Sequence, residues 1–140
     1  MKKFLFSLVG LIIISVVFNS CAPEDNNSSP SPVDQKQKWI GNWTCQETAG
    51  MNPATYTIHI IDSVGTDYVL IENLYSSGFS TRTKGLINAT NLTIANQALG
   101  SGGYTIDGNG TLANNTTINM NFNVNDGSSI DNVVATVTKQ

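Results

Sequence analysis

The sequence predicts an all-β domain, a small antiparallel barrel or sandwich of about eight strands, preceded by an apolar segment and a polar linker. Three observations support this fold class. Apolar and polar residues alternate with a period of two over most of residues 39–140. Turn-forming Asn, Asp, Gly and Ser separate the alternating runs. A helical period is found nowhere in this region, although Trp39-Ile40-Gly41 could form a single turn at its entrance.

Eight alternating runs can be assigned as strands. In the clearest, Thr116–Val124, the residues Ile118, Met120, Phe122 and Val124 share one face, and polar residues occupy the other. Hairpins suffice for every connection, because no segment between the runs could form a crossover helix. The predicted strands are Trp43–Glu47, Tyr56–Ile61, Tyr68–Asn73, Lys84–Ala89, Leu92–Ile94, Tyr104–Leu112, Thr116–Val124 and Ile130–Lys139.

Two glycines, Gly108 and Gly110, interrupt the sixth run. Glycine in a strand predicts either a bend or the close approach of another backbone. The preceding loop, Gly100-Ser101-Gly102-Gly103, is not a phosphate loop, since no Gly-Lys-Ser/Thr follows it.

Composition excludes several function classes. Residues 21–140 contain 16 Asn, 15 Thr and 10 Ser. These uncharged polar residues supply turns and the solvent-exposed face of a sheet. The same residues hold five basic and ten acidic side chains, a net charge of −5, so a nucleic-acid partner is not expected. One histidine and two cysteines leave little for a metal site or nucleophilic catalysis, and neither a cofactor nor a metal is expected.

The N-terminus has the organisation of a secretory signal. Met1-Lys2-Lys3 is basic, and Phe4–Phe18 is an apolar stretch of fifteen residues, too short for a comfortable membrane span. Phe18-Asn19-Ser20-Cys21 resembles the lipobox of bacterial lipoprotein signals, in which a small residue precedes an acylated cysteine. The resemblance implies cleavage before Cys21, palmitate and other acyl chains on that residue, and residues 1–20 as signal peptide. An ordinary secretory signal with an accidental thiol is the alternative.

Residues 21–38 are predicted to be a disordered linker after the acylated cysteine. They contain three of the four prolines and almost no apolar side chains, so they cannot bury enough surface to fold. Among lipoproteins, Ala22 after the cysteine implies an outer-membrane anchor, with the domain on the periplasmic or the cell-surface face. Glu24-Asp25 resembles a surface-export tag, although a solvated linker explains it equally well.

Residues 39–140 resemble lipocalin-like (calycin) domains. The resemblance is carried by Gly41-Asn42-Trp43 at the first strand and by Lys139 at the end of the last strand. It implies that Trp43 closes the base of a barrel and that Lys139 packs over its ring. Lipocalins are longer and carry a C-terminal helix that is not visible here. About twenty inward side chains would fill most of so small a barrel, which argues against a large ligand cavity.

Individual candidate residues favour structural roles. His59 is predicted to be a strand histidine rather than a catalytic one, and Cys45 a buried thiol rather than one paired between chains. Asp107-Gly108-Asn109-Gly110 lacks the further ligands of a calcium loop and is interpreted as a strand bend or a turn. Asp62-Ser63-Val64 resembles a bacterial O-glycosylation acceptor, which makes Ser63 a possible modification site.

The sequence therefore predicts an outer-membrane-anchored lipoprotein with a non-catalytic β-barrel binding or interaction domain. Its partner could be a small apolar ligand, a protein or a glycan. A structural or surface-coat envelope lipoprotein is one alternative. A lipocalin-like protease inhibitor acting through the Leu74–Thr83 segment is another.

Overall fold

The protein is an eight-stranded, closed antiparallel β-barrel, which confirms the predicted class and decides for a barrel over a sandwich. A computed structural model describes residues 32–65 and 67–140. A short helix, α1, spans Pro32–Gln37 before the barrel. The strands are β1 Gly41–Ala49, β2 Thr55–Asp62, β3 Tyr68–Glu72, β4 Arg82–Asn88, β5 Asn91–Leu99, β6 Tyr104–Asn114, β7 Thr117–Asn125 and β8 Ile130–Lys139.

Each strand pairs with the next in sequence, and β1 also pairs with β8 to close the barrel. Because neighbouring strands are antiparallel, their connections alternate between the two ends. We call the end where β1 begins and β8 finishes the base. The opposite end, with the connections 50–54, 73–81, 100–103 and 126–129, is called the loop end. Helix α1 joins the barrel at the base, so the chain enters the domain opposite the loop end.

Apolar side chains fill the interior because every strand alternates inward and outward. The dry face predicted for the seventh run is present, since Ile118, Met120, Phe122 and Val124 of β7 are all buried. Among the residues that the structure describes, twenty-one buried hydrophobic residues form one core cluster, close to the number expected to fill a small barrel.

Two tryptophans and a lysine close the base. Trp39 and Trp43 are fully buried, and the Trp43 indole N–H donates to the Trp39 carbonyl at 2.9 Å. Lys139 Nζ lies 5.0 Å from the Trp43 ring centroid, as the lipocalin resemblance implied, and donates to the Lys38 carbonyl. Gly41 has a φ of +142°, and a side chain there would press on Lys139 at 3.1 Å. Glycine at this position therefore leaves room for the lysine.

Helix α1 differs from the expectation that residues 21–38 form a disordered linker, because residues 32–37 are helical and Lys36 is held at the base. Lys36 is buried, and its ammonium donates to the Ser63 and Gly65 carbonyls at 2.9 Å each and pairs with Asp62. The predicted turn over Trp39–Gly41 is also misplaced, since the helix precedes it and Gly41 already belongs to β1. The partners of Lys36 come from the end of β2 and from the β2–β3 connection, so the sequence around Lys36 gave no sign of them.

Strand β5 is longer than predicted, continuing to Leu99 rather than Ile94. Its pairing with β6 shifts register between Ile94 and Gln97, where a bulge interrupts the alternation from which the strand was assigned. Tyr104 differs in environment from its in-phase neighbours, because it lies at the loop end and is 42% exposed, whereas Ile106 and Leu112 are buried.

The predicted signal peptide, Cys21 and the linker up to residue 31 lie outside the described residues. Their assignments stay predictions. Within the described part of the chain, no helix is long and apolar enough to cross a membrane.

Of the bend and the close approach predicted for the glycines of β6, Gly108 shows the close approach of another backbone. A Cβ atom there would lie 2.5 Å from the Asn121 carbonyl oxygen and 2.6 Å from the Phe122 Cα. At Gly110, the nearest atoms would be flexible side chains at 3.3 Å or more. The two glycines therefore differ in how much change they tolerate.

We expect Gly108→Ala to destabilise the barrel by about 2–3 kcal/mol, because β6 and β7 must separate to admit the methyl group. The matched control, Gly110→Ala on the same strand, should cost less than about 1 kcal/mol, since its neighbours can rotate away. Urea denaturation of both variants measures the difference. Equal losses would contradict the close approach.

Candidate binding site

A solvent-open depression of about 590 Å³ lies at the loop end, which makes it the candidate binding site. Its size falls within the range usual for small-molecule sites. The β3–β4 and β5–β6 connections contribute most of its wall, together with residues 51, 52 and 126. Two tyrosines, Tyr75 and Tyr104, give it aromatic surface. Hydroxyl and amide groups give it polar surface, from Asn52, Ser77, Ser80, Thr81 and Ser101.

Tyr75 is held rigidly in the floor of the depression. Its backbone N–H donates to the Tyr56 hydroxyl at 2.9 Å, and its own hydroxyl donates to Asp131 Oδ2 at 2.9 Å. Its ring meets the Phe122 ring edge-on, with 6.4 Å between centroids. These three contacts fix both the backbone and the ring, so the aromatic surface is in place before any ligand arrives.

The backbone around Tyr75 is in an uncommon conformation. Asn73, Tyr75 and Ser76 all have φ between 51° and 63°, the left-handed region. The Asn73 side chain compensates by bonding at both ends: it donates to the Thr57 carbonyl and accepts from the Gly78 N–H, each at 2.7 Å. Strain of this kind persists only where surrounding contacts determine the conformation. Here it turns Tyr75 over the end of the barrel.

Two buried carboxylates anchor this arrangement. Glu47 accepts from the Tyr56 hydroxyl at 2.7 Å and from the Ala54 N–H at 3.1 Å. Asp131 accepts from Tyr75 and from the Met51 N–H at 2.7 Å. Each carboxylate therefore ties a loop-end connection to the barrel wall, and neither is left without a partner.

The tyrosines of this network stay protonated. Burial raises the pKa of Tyr56 far above its usual value, with Cys45 and Glu47 adding to the effect. Burial and the hydrogen bond to Asp131 raise the pKa of Tyr75 to about 12. Both hydroxyls therefore remain hydrogen-bond donors across the physiological pH range.

Asp126 organises the β7–β8 turn at the rim. Its carboxylate accepts from the backbone N–H groups of Ser129 and Ser128, at 2.7 and 2.8 Å, and from the Ser129 hydroxyl. These bonds lower the pKa of Asp126 below its usual value. The carboxylate is engaged within its own turn, so its role at the rim is structural.

Cys45 is buried and unpaired among the described residues, as predicted. It points into the barrel from β1, below the loop-end network. Burial raises the pKa of its thiol to about 11, and a hydrogen bond with Tyr56 offsets this only in part. A thiol with this pKa is a poor nucleophile at neutral pH.

His59 lies on the outer wall of the barrel, separate from the depression. Its Nδ1 is 3.5 Å from Glu72 Oε2, and the other oxygen of that carboxylate, Oε1, pairs with Arg82 Nε at 3.0 Å. Its ring stacks on Phe79 at 4.5 Å between centroids. Within the described ranges, no group of three or more His, Cys, Asp or Glu side chains is arranged to hold a metal ion.

Ser63 and Asp107, which the sequence also singled out, do not line the depression, whereas the Leu74–Thr83 segment does. Ser63 sits in the β2–β3 connection at the base, beside Val64, which is 99% exposed, and its modification stays a prediction. Asp107 belongs to β6 and accepts from the Asn123 side chain at 3.1 Å. The Leu74–Thr83 segment does line the depression, but Leu74 itself is buried as an anchor.

The sequence did not identify the residues that build the site. The alternation pattern places Tyr56 and Asp131 in strands and gives them no further role. Tyr75 falls only within the Leu74–Thr83 segment of the inhibitor alternative. A signal for Asp131 was present, because it is an acidic residue in phase with the inward-facing Val133 and Ala135. An inward carboxylate requires hydrogen-bond donors, and these lie more than fifty residues away in the chain.

Comparisons with known proteins support the fold alone. No protein-family model and no curated protein matched the sequence. A solved structure of a redesigned β-barrel superposes with a TM-score of 0.54 at 16% sequence identity. The alignment covers 81% of this chain and 99% of that chain. The chain is thus similar in fold to a redesigned β-barrel.

Native Cys45 should react slowly with iodoacetamide at pH 8, at least about tenfold more slowly than in urea. Its raised pKa keeps it as the thiol until the pH approaches 11, and its burial blocks access. The Cys21→Ser variant leaves Cys45 as the only thiol, and mass spectrometry follows alkylation. Equal rates in the native and urea-unfolded protein would show that Cys45 is accessible.

Tyr75→Phe should loosen the 73–81 connection and lower stability by about 1 kcal/mol, the usual effect of removing one hydrogen bond. Asp131 keeps its bond from Met51, so the barrel stays folded. Hydrogen exchange should rise at residues 73–81. Tyr68→Phe is the control, because the ring of Tyr68, rather than its hydroxyl, contacts Lys84. Unchanged exchange at residues 73–81 would show that Asp131 does not hold this connection.

Proposed function

We propose that this chain is an outer-membrane-anchored lipoprotein whose barrel is a non-catalytic binding domain, with the binding site at the loop end. The observation that carries the proposal is the arrangement of the two ends. The chain enters at the base through α1, and the preorganised depression opens at the opposite end. A lipid anchor on Cys21 would hold the base toward the membrane and direct the depression away from it.

The core supports a surface site over an internal one. Trp39 and Trp43 block the base, and Tyr75 covers the loop end above Phe122. An apolar ligand inside the barrel, as in larger lipocalins, would have to displace these packed side chains, each at several kcal/mol. A ligand at the loop end meets a surface that is already formed.

The available nucleophile and base support the non-catalytic interpretation. Cys45 is buried with a raised pKa, and His59 stands on the outer wall with Glu72 and Phe79. A nucleophile and its base must lie within hydrogen-bond distance of each other. Cys45 faces the interior and His59 faces outward, so the barrel wall separates them.

The lipid anchor is tested by metabolic labelling with palmitate. The wild-type chain should incorporate label and fractionate with the outer membrane, because acyl chains on Cys21 provide stable anchoring. Cys21→Ser should abolish both the label and the membrane association. Cys45→Ser is the matched control and should retain both. Palmitate uptake that survives Cys21→Ser would end the lipoprotein assignment.

A further inference from the structure

We infer that the loop-end depression binds a neutral saccharide, which stacks on the exposed ring of Tyr104 and bonds to the surrounding hydroxyl and amide groups. The inference rests on the proposed function, since it names the ligand class of the same site. It follows from the chemistry of the lining, from the fixed position of that lining and from its charge.

The lining presents an aromatic surface beside small hydrogen-bonding groups. Tyr104 is 42% exposed, and its ring packs against Gly102, where a Cβ atom would lie only 3.1 Å from the ring. The glycine thus lets the loop support one part of the ring while the rest faces the depression. An aromatic ring offers a flat apolar surface, which suits the C–H face of a pyranose.

Hydroxyl and amide side chains line the depression together with this ring, and those of Ser80, Ser101 and Asn52 can both donate and accept hydrogen bonds. The Ser77 and Thr81 hydroxyls donate to the Leu74 and Ser77 carbonyls, which leaves their oxygens as acceptors. Four hydroxyl residues and one amide line the depression: Ser77, Ser80, Thr81, Ser101 and Asn52. A sugar also presents groups that donate and accept, so each of its hydroxyls can find a partner without an ion pair. A purely apolar ligand would leave the polar groups of Ser80, Ser101 and Asn52 without partners on losing water.

The charge of the site selects against anions. Neither lysine nor arginine is among the residues lining the depression, and its one ionised group, Asp126, is acidic. Asp131 adds a second carboxylate beneath Tyr75. An acidic sugar, a phosphate or a fatty-acid carboxylate would therefore meet repulsion with no compensating cation.

Because the lining of the depression is fixed before binding, individually weak hydrogen bonds and one aromatic contact are sufficient to bind a saccharide. Tyr75, Asp131 and Asp126 fix the floor and rim through hydrogen bonds that exist without a ligand. Little side-chain entropy is then lost on binding. The volume of about 590 Å³ admits a small saccharide or the end of a longer chain.

The test is binding of the full-length, detergent-purified protein to an array of neutral and acidic oligosaccharides, followed by calorimetry. N-acetylglucosamine oligomers represent envelope glycans, and hexose oligomers represent external polysaccharides, which distinguishes the two sources. We expect at least one neutral oligosaccharide to bind. Tyr104→Ala should weaken that binding about tenfold or more, and Tyr104→Phe by no more than about threefold, since the ring remains.

Two further variants complete the test. Ser101→Trp should block the depression and abolish binding, whereas Tyr68→Ala, on the outer wall, should leave it unchanged; thermal denaturation verifies that all variants fold. Binding of acidic sugars alone, no neutral binding up to about 10 mM ligand, or neutral binding that Tyr104→Ala does not weaken would each overturn the inference. Failure of the lipoprotein proposal is seen separately, as loss of palmitate labelling.

Discussion

The pairing of the first strand with the last is the constraint on which the rest of the structure depends. It closes the barrel, so every strand has two neighbours and no edge is open to pair with another chain. Trp43 and Lys139 are paired at one end of this ladder, where the first and last strands of the domain meet. The contact of the Lys139 ammonium with the Trp43 ring adds about 0.5–1 kcal/mol to the stability of the closed barrel. Buried Trp39 completes the base beneath them.

Closure at the base leaves the loop end for the proposed binding site. The base is sealed by indole rings and by Lys36, whose ammonium finds carbonyl partners in the β2–β3 connection. At the loop end, Glu47 and Asp131 replace apolar residues at inward positions and fasten the loops through hydrogen bonds. Buried carboxylates are expensive unless fully partnered, so the donors around them must stay in place. This requirement makes the proposed binding surface rigid.

The two ends also divide the roles proposed for the chain. The anchor would act through the N-terminal segment, and the ligand through a surface on the other side of a solid core. Binding at one end therefore does not require the core to open. Uncharged Asn and Thr side chains make much of the outer wall polar, as on the outward face of β7 with Asn119, Asn121 and Asn123.

Most of the fold could be predicted from the sequence, whereas the site could not. Alternation in Thr116–Val124 and Ile130–Lys139 identified strands and their buried faces because each face repeats every second residue. The bulge in β5 and helix α1 escaped prediction, since one breaks that period and the other is held by distant carbonyls. The loop-end site joins Glu47, Tyr56, Tyr75 and Asp131, up to 84 positions apart. Glu47 and Tyr56 meet within one hairpin, but only closure of the barrel brings Asp131 of β8 to Met51 and Tyr75. Only the tertiary structure could therefore decide what these residues build.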